Sequence, residues 1–325
     1  SFSEFPRERT MTRSRLPVTV IIPTRNEAEN LPECLRSVRH FAQVIVVDSQ
    51  STDGTAALAE QAGAEVHQFH YRGGWPKKRQ WALENLPIHN NWVLLLDADE
   101  RVTPALRREL AEIIRSEKPH DGYWITLRLV FLGKVLRHGA SGLKKLSFFR
   151  RGHGRFECLI AEQDDTMSDV EIHEHLLMEG SEGECRAALL HHNHHDLFRY
   201  IQKHNEYSSW SAELAWRRRR GIASEGARRP SALGTQADRR RLLMNAVWRL
   251  PAMGVLFPVL RFFWFYIVRL GFLDGVAGYY YCGFKAVQAF HIAAKVQEKQ
   301  TRRTGYVPCP PRTETPPNST GGGSD

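Results

Sequence analysis

The 325-residue sequence predicts an α/β fold, with a mainly parallel sheet followed by amphipathic helices toward its C-terminal end. Three observations predict it: four apolar runs of strand length in the first hundred residues, a helix-forming segment between successive runs, and acidic residues where the runs end.

The first run, 18–22 within PVTVIIPTRNE, is almost continuously apolar, as a strand buried on both faces requires. A short helix follows over 29–39, with Pro32 tolerated in its first turn. The second run, 44–47, leads directly into Asp48. DSQSTDGT then supplies turn and cap residues, and the alanine-rich TAALAEQAGA reads as a helix with a glycine near its end. A third strand is expected at 64–69, a third helix at 77–85, and a fourth strand, WVLLL at 92–96, ending on Asp97. The order β-α-β-α-β-α-β implies right-handed crossovers.

Thr103-Pro104 is a helix start, with Thr as N-cap and Pro at the first helical position, opening a charged helix to residue 117. Aromatic and β-branched residues in GYWITLRLVFLGKVLRH suit strands. Residues 196–220 have a helical pattern whose end, RRRRG at 217–221, is basic. The most apolar stretch, 253–273, is interrupted by Arg261 and Arg269, and Pro258 is expected to kink it. It therefore lacks the ~20 uninterrupted apolar residues of a transmembrane helix. Eight residues apart, the two arginines lie about 80° apart around a helix, so an interfacial or re-entrant membrane helix fits better. The chain divides into a polar arm (1–16), a catalytic domain (17–215), a basic linker (216–238), an amphipathic membrane-associated region (239–300) and a Pro/Gly/Ser-rich disordered tail (301–325).

A net charge of +9 favours an anionic partner: a nucleotide, a nucleic acid or an acidic membrane surface. Arginine clusters at 217–220, 228–229 and 239–241 accompany no nucleic-acid-binding module and precede the apolar stretch, which favours an anionic membrane over nucleic acid. Five scattered cysteines, none in a CxxC pair, indicate neither a disulfide framework nor a zinc ribbon and fit a reducing cytosol. The polar, basic N-terminus has no apolar h-region, so no cleaved secretory signal is expected.

Ligands of parallel sheets gather outside the carboxyl ends of the strands, and Glu27, Asp48, Asp97 and Asp99 all occupy such places. Asp97-Ala98-Asp99 sets two carboxylates two residues apart, so in extended backbone both point to one side and reach one Mg²⁺ or Mn²⁺ ion. Such an ion bridges phosphate oxygens and stabilises a departing nucleoside diphosphate. Alone, the pair is better explained as a solvated loop before the Thr103 cap; behind the earlier strand-end acids it reads as a metal site. Asp48 suits base or ribose groups, whereas Asp53 or Thr52 serves equally well as a helix cap. The cluster His191, His192, His194, His195 and Asp196 matches no zinc spacing; a single histidine, His191, assisting the metal and diphosphate is the expectation.

Taken together and in order over 17–103, PVTVIIPTRNEAENLPECLRSV, VIVVDSQSTDGT, KKRQWAL and WVLLLDADE resemble the family 2 glycosyltransferases. EIHEHL, HNHHDLFRYIQKHNEYS and GFLDG resemble, within that family, the bacterial branch of lipopolysaccharide core β-glucosyltransferases. The resemblance implies a GT-A fold, a nucleoside-diphosphate sugar donor expected to be a UDP-sugar, a divalent metal and inversion at the anomeric carbon. It also implies that Pro23, Thr24, Glu27, Asp48 and Asp53 line the nucleotide pocket, that Lys78 and Arg79 approach the diphosphate, and that Asp97 and Asp99 hold the sugar-nucleotide and the metal. The acidic motif is spread here as DSQSTDG, the longer variant. Inversion needs a general base; Glu174 in EIHEHLL is the candidate and Glu171 the reserve, against an ordinary alternating strand. The acceptor is expected to be lipid-linked or of lipopolysaccharide or polysaccharide type, met at the cytoplasmic face of the membrane. A nucleotidyltransferase would carry a glycine-rich phosphate loop where this chain reads PTRNEAEN; a non-catalytic membrane-associated scaffold is the other alternative.

Overall fold

The computed structural model describes residues 15–158, 169, 175–192, 196–220 and 253–303. The polar arm up to residue 14, the stretch 221–252 and the tail from 304 lie outside the described residues. The four early strands form as the apolar runs predict: β1 (Leu16–Thr24), β2 (Phe41–Asp48), β3 (Glu65–Gln68) and β4 (Trp92–Leu95), all parallel, in the order β3-β2-β1-β4. The intervening helices are α1 (Leu31–Val38), α2 (Thr55–Gln61) and α3 (Lys78–Asn85). Continuous apolarity is explained by double-sided burial. Val18, Val20 and Ile22 pack with Leu31, Cys34 and Val38 of α1, while Ile21, Val93 and Leu95 pack with Ala82 of α3 on the opposite face.

Beyond β4 the sheet departs from the mainly parallel expectation. The chain continues through β5 (Glu100–Val102), α4 (Pro104–Arg115), β6 (Gly122–Phe131), β7 (Lys134–Val135), β8 (Leu143–Arg150), β9 (Gly154–Phe156), β10 (Leu176–Met178) and β11 (Glu182–His192). The sheet runs on as β4-β8-β6-β11-β5, with β8 antiparallel to both neighbours and β5 antiparallel to β11. It is a mixed sheet. The cause is connection length: 132–142 holds only the short β7, and a parallel return needs a crossover of about a dozen residues or more, usually helical. Trp92 of β4 stacks on the fully buried Phe148 of β8 at 4.6 Å between ring centroids, with Tyr123 of β6 beside them. At α4 the predicted cap is present, Thr103 Oγ1 accepting from the Leu106 amide at 3.1 Å.

The C-terminal part comprises α5 (Leu197–Arg219), α6 (Met253–Phe263), a π-helical stretch (Trp264–Val268), a 3-10 turn (Gly271–Asp274) and α7 (Gly275–Arg303). Pro258 lies inside α6, yet the sharp bend, 71°, falls later, where Leu270 takes a positive φ of 56°. Arg261 and Arg269 therefore do not share one helical face as a regular helix would predict. Arg261 lies over Phe257 and Phe265, whereas Arg269 sits at the bend and donates to the Ser141 carbonyl and hydroxyl.

GFLDG is the joint that fastens this bend to the sheet. A Cβ at Gly271 would meet the Phe265 carbonyl at 2.6 Å and Cys282 Sγ at 2.7 Å, so only glycine lets the turn close on α7. Asp274, buried, accepts from the amides of Arg137, His138 and Gly139 at 2.9, 3.1 and 3.0 Å and faces His138 Nδ1 at 3.1 Å. Asp274→Ala is expected to cost about 1.5–3 kcal/mol, the range for hydrogen bonds to a charged group. Hydrogen exchange should show the amides of residues 137–139 losing protection while those of β1 keep theirs.

Candidate active site

The loops that follow β1 and β2 are fastened to each other by side chains of the DSQSTDGT segment. Ser51 Oγ accepts from the Asn26 amide at 2.8 Å, Thr55 Oγ1 from the Glu27 amide at 2.9 Å, and Asp53 from the Ala28 amide at 3.0 Å. Asn26 Oδ1 in return accepts from the Thr52 amide at 2.9 Å. Asp53 thus braces the β1 loop; burial opposes its charge, but hydrogen bonds from the Thr55 hydroxyl and from the Ala28 and Thr55 amides hold its carboxyl below its ordinary value. Asp48 is fully buried; its oxygens accept from Thr24 Oγ1 at 2.8 Å, the Ser51 amide at 2.9 Å and Gln68 Nε2 at 3.3 Å. Pro23 and Thr24 are buried opposite Val47 and Asp48. Glu27, half-buried, accepts from Asn30 Nδ2 at 2.7 Å.

Asp97 and Asp99 do not lie side by side on extended backbone. The chain turns at Ala98-Asp99, the Glu100 amide donating to the Asp97 carbonyl at 2.9 Å, and the turn sends the two carboxylates to different partners. Asp97 meets Arg79 through one oxygen and Lys145 Nζ at 2.9 Å through the other. Desolvation would raise its carboxyl, but the two cations hold it well below the usual carboxylate range. Glu100, fully buried, accepts from the Asp97 amide at 2.8 Å and from Lys145 Nζ at 2.9 Å. Asp99, also buried, faces His191 Nε2 at 3.5 Å and Lys203 Nζ at 3.8 Å. Burial opposes the charge on the His191 imidazole, yet Asp99, Glu100 and Asp97 outweigh it and the net shift is upward.

Of the residues singled out in the sequence, Asp97, Asp99, Arg79 and His191 meet at this turn. Lys78 does not: it is buried, donates to the Thr24 carbonyl at 2.7 Å and pairs with Asp169 at 3.0 Å. Glu171 and Glu174 lie outside the described residues, as do His194 and His195. The neighbouring His175 is tied to Glu157 where β9 and β10 pair. Sequence reasoning missed Glu100, Lys145 and Lys203. Glu100 follows the Asp97-Ala98-Asp99 motif directly; Lys145 reaches the turn because β8 lies antiparallel to β4, and carrying the pairing Leu94↔Phe148 three residues on sets Lys145 opposite Asp97. No local signal in LKKLSFF marks it.

Comparison with known proteins decides the family. The sequence profile of "Glycosyl transferase family 2" matches residues 19–177. "Lipopolysaccharide core biosynthesis glycosyltransferase LpsC" of Rhizobium meliloti (strain 1021) is 31% identical over 206 residues, covering 61% of this chain and 72% of that protein. The chain belongs to the family 2 glycosyltransferases. An "Uncharacterized glycosyltransferase" of Rickettsia felis is 39% identical over 100 residues, which span 30% of this chain and 34% of that one. Among solved structures, glucosyl-3-phosphoglycerate synthase from Mycobacterium tuberculosis in complex with Mn²⁺, UDP and glucosyl-3-phosphoglycerate superposes with a TM-score of 0.28 at 18% identity, covering 39% of this chain and 50% of that one.

As a family 2 glycosyltransferase of GT-A fold, the chain uses a nucleotide-sugar donor, and the nucleotidyltransferase and scaffold alternatives fall away. The acidic turn makes its own prediction. The Asp97 carboxyl sits below its unfolded value, so its stabilising effect is complete at neutral pH and is lost as pH falls through the ordinary carboxylate range and beyond. Lys145→Met is expected to destabilise by on the order of 3 kcal/mol at neutral pH, with the gap to wild type narrowing toward about pH 3. Urea unfolding at both pH values checks this; a gap independent of pH would assign the loss to packing alone.

Proposed function

We propose that the protein is an inverting, metal-dependent glycosyltransferase that moves a sugar from a nucleoside-diphosphate donor, expected to be a UDP-sugar, to a lipid-linked or lipopolysaccharide-type acceptor at the cytoplasmic membrane face. The observation that carries the donor half is the acidic turn after β4, buried at the carboxyl edge of the sheet beside the loops after β1 and β2.

The donor set suits a hard divalent cation. Asp99 Oδ2 and His191 Nε2 are 3.5 Å apart, close to the ~3 Å between adjacent ligands of an octahedral ion with bonds of about 2.1 Å. Glu100 Oε1 lies 3.7 Å from His191 Nδ1 and neither atom makes a hydrogen bond among the described residues. A carboxylate on the far side of an imidazole is the arrangement that orients a metal-bound histidine. Among the described residues no group of three or more His, Cys, Asp or Glu side chains could hold a metal. Mg²⁺ and its relatives need only one or two carboxylates when phosphate and water complete the shell. Asp99 and His191 would hold the ion, which would supply Lewis-acid stabilisation to the leaving diphosphate. The chain's own groups supply the rest: Arg79 and Lys145 keep Asp97 ionised and fixed, and Glu174, with Glu171 in reserve, would take the acceptor hydroxyl's proton as the oxygen attacks the anomeric carbon.

The name of the LpsC relative supports the lipopolysaccharide-type acceptor. The surface of α6 and α7 supports the membrane: Val255 is 83% and Val276 71% exposed, with Phe263, Trp264, Val268 and Phe290 all more than half exposed. Among the described residues no single helix is long and apolar enough to cross a bilayer, though the bent pair Val255–Val268 and Gly271–Thr301 would be by length and composition. A hairpin lying in the interface fits that arrangement.

Thermal unfolding with UDP, GDP or ADP, with and without Mn²⁺, tests the donor half; a nucleotide at a hundred times its Kd adds about 2.7 kcal/mol. Asp99→Asn is expected to abolish the metal-dependent part of that gain and to lower transfer at least ~100-fold. If Mn²⁺ added nothing to any nucleotide's effect on the wild-type chain, the metal-dependent reading would be wrong. For the membrane half, flotation with anionic vesicles should be lost in Trp264→Asp/Val276→Asp, and unchanged flotation would remove these helices from the reading.

A further inference from the structure

The cations expected to meet the diphosphate are engaged by the protein. Lys78 is enclosed with Asp169 and the Thr24 carbonyl, Arg79 is paired with Asp97, and Lys145 bridges Asp97 and Glu100. Lys203, in the second turn of α5, is held differently. Its ammonium stands 3.8 Å from Asp99, outside hydrogen-bonding reach, its side chain is 37% exposed, and it donates no hydrogen bond among the described residues. Tyr207, Asp99, Glu27 and Asp97 are its electrostatic neighbours, and one turn earlier Arg199 reaches Glu29 at 3.9 Å. The start of α5 thus lies over both the loop after β1 and the turn after β4, the strand ends that flank the ligand crevice of such a sheet.

We propose that Lys203 is a ligand of the donor's diphosphate, and of the nucleoside diphosphate released after transfer, closing the crevice from the α5 side. The inference rests on the nucleotide-sugar reading above and names a binding residue for it. An ammonium carries three donors and acts on phosphate as a point charge, without the planar geometry an arginine demands. Asp99 loses little when Lys203 turns to a ligand, since the pair is long and His191 remains at 3.5 Å. The helix beneath is rigidly seated: the Lys295 ammonium of α7 lies 2.7–2.8 Å from the Asn205 carbonyl and side-chain oxygens and the hydroxyls of Ser208 and Ser209, and its three N–H groups are shared among them. Lys203 is therefore placed over the crevice before ligand arrives, which limits the ordering that binding must impose.

Calorimetric titration of the full chain with UDP, GDP and ADP at saturating Mn²⁺ identifies the nucleotide that binds. For that nucleotide Lys203→Met is expected to weaken affinity about 10- to 100-fold and Lys203→Arg to restore most of it. The parent nucleoside, followed by NMR titration, should bind wild type and variant alike. An unchanged diphosphate affinity in Lys203→Met, or an equal loss for nucleoside and diphosphate, overturns the inference and leaves the nucleotide-sugar reading standing. A wild-type chain that binds none of the three overturns that reading and the inference with it. Should Lys203→Met fail to fold, Lys203→Gln against Lys203→Arg decides in its place: affinity must follow the charge, and equal affinities reject the inference.

Discussion

Three carboxylates within four residues, Asp97, Asp99 and Glu100, are brought to the buried edge of β4, and the rest of the structure is arranged around meeting their charge. A buried carboxylate without a partner costs several kcal/mol, so each must find a cation or a donor. The partners come from four separate elements: Arg79 from α3, Lys145 from β8, His191 from the end of β11 and Lys203 from α5. The turn is thus the place where the parallel half of the sheet, its antiparallel half and the C-terminal helices are joined.

The network also explains why the mixed sheet matters to the site. A parallel neighbour would not bring the Lys145 end of β8 to the end of β4; the antiparallel strand does, and its register sets that side chain opposite Asp97. Likewise β11 pairs antiparallel with β5 so that His191 lies opposite Glu100, beside Asp99. Arg101 secures the turn from beneath, donating to the carbonyls of Ala98, Glu100 and Asn30 at 2.8–2.9 Å.

The parallel half of the fold was legible because each strand there is buried on both faces, which writes an apolar run into the sequence, and because Thr103-Pro104 states a helix start in local chemistry. The acids at the strand ends were legible for the same reason: they interrupt apolar runs. What was not legible depends on long-range pairing. That β8 intervenes between β4 and β6, or that Lys145 meets Asp97, follows from contacts made some fifty residues apart in the chain, and no periodicity encodes them. The DSQSTDG segment shows the intermediate case. Its turn and cap residues were evident, but their use in tying down residues 26–28 of another loop was not.

The C-terminal helices look separable in the sequence, set off by a basic linker, yet physically they are built into the catalytic unit. Leu129, Phe131 and Leu136 share one buried cluster with Tyr200 of α5 and with Ala277, Tyr281 and Cys282 of α7. Asp274 pins the bend to residues 137–139, and Lys295 seats α7 on the turn of α5 that follows Lys203. One helix, α5, therefore carries both the lysine that faces Asp99 and the seat of the most apolar part of the chain. In the proposed reading, an acceptor held at a membrane surface meets a donor site whose distance from that surface is set by packed side chains and a buried carboxylate, not by a flexible tether. This rigidity is what a transferase needs when one substrate is confined to an interface and the other arrives from water, because the geometry for attack must be reproduced at each encounter.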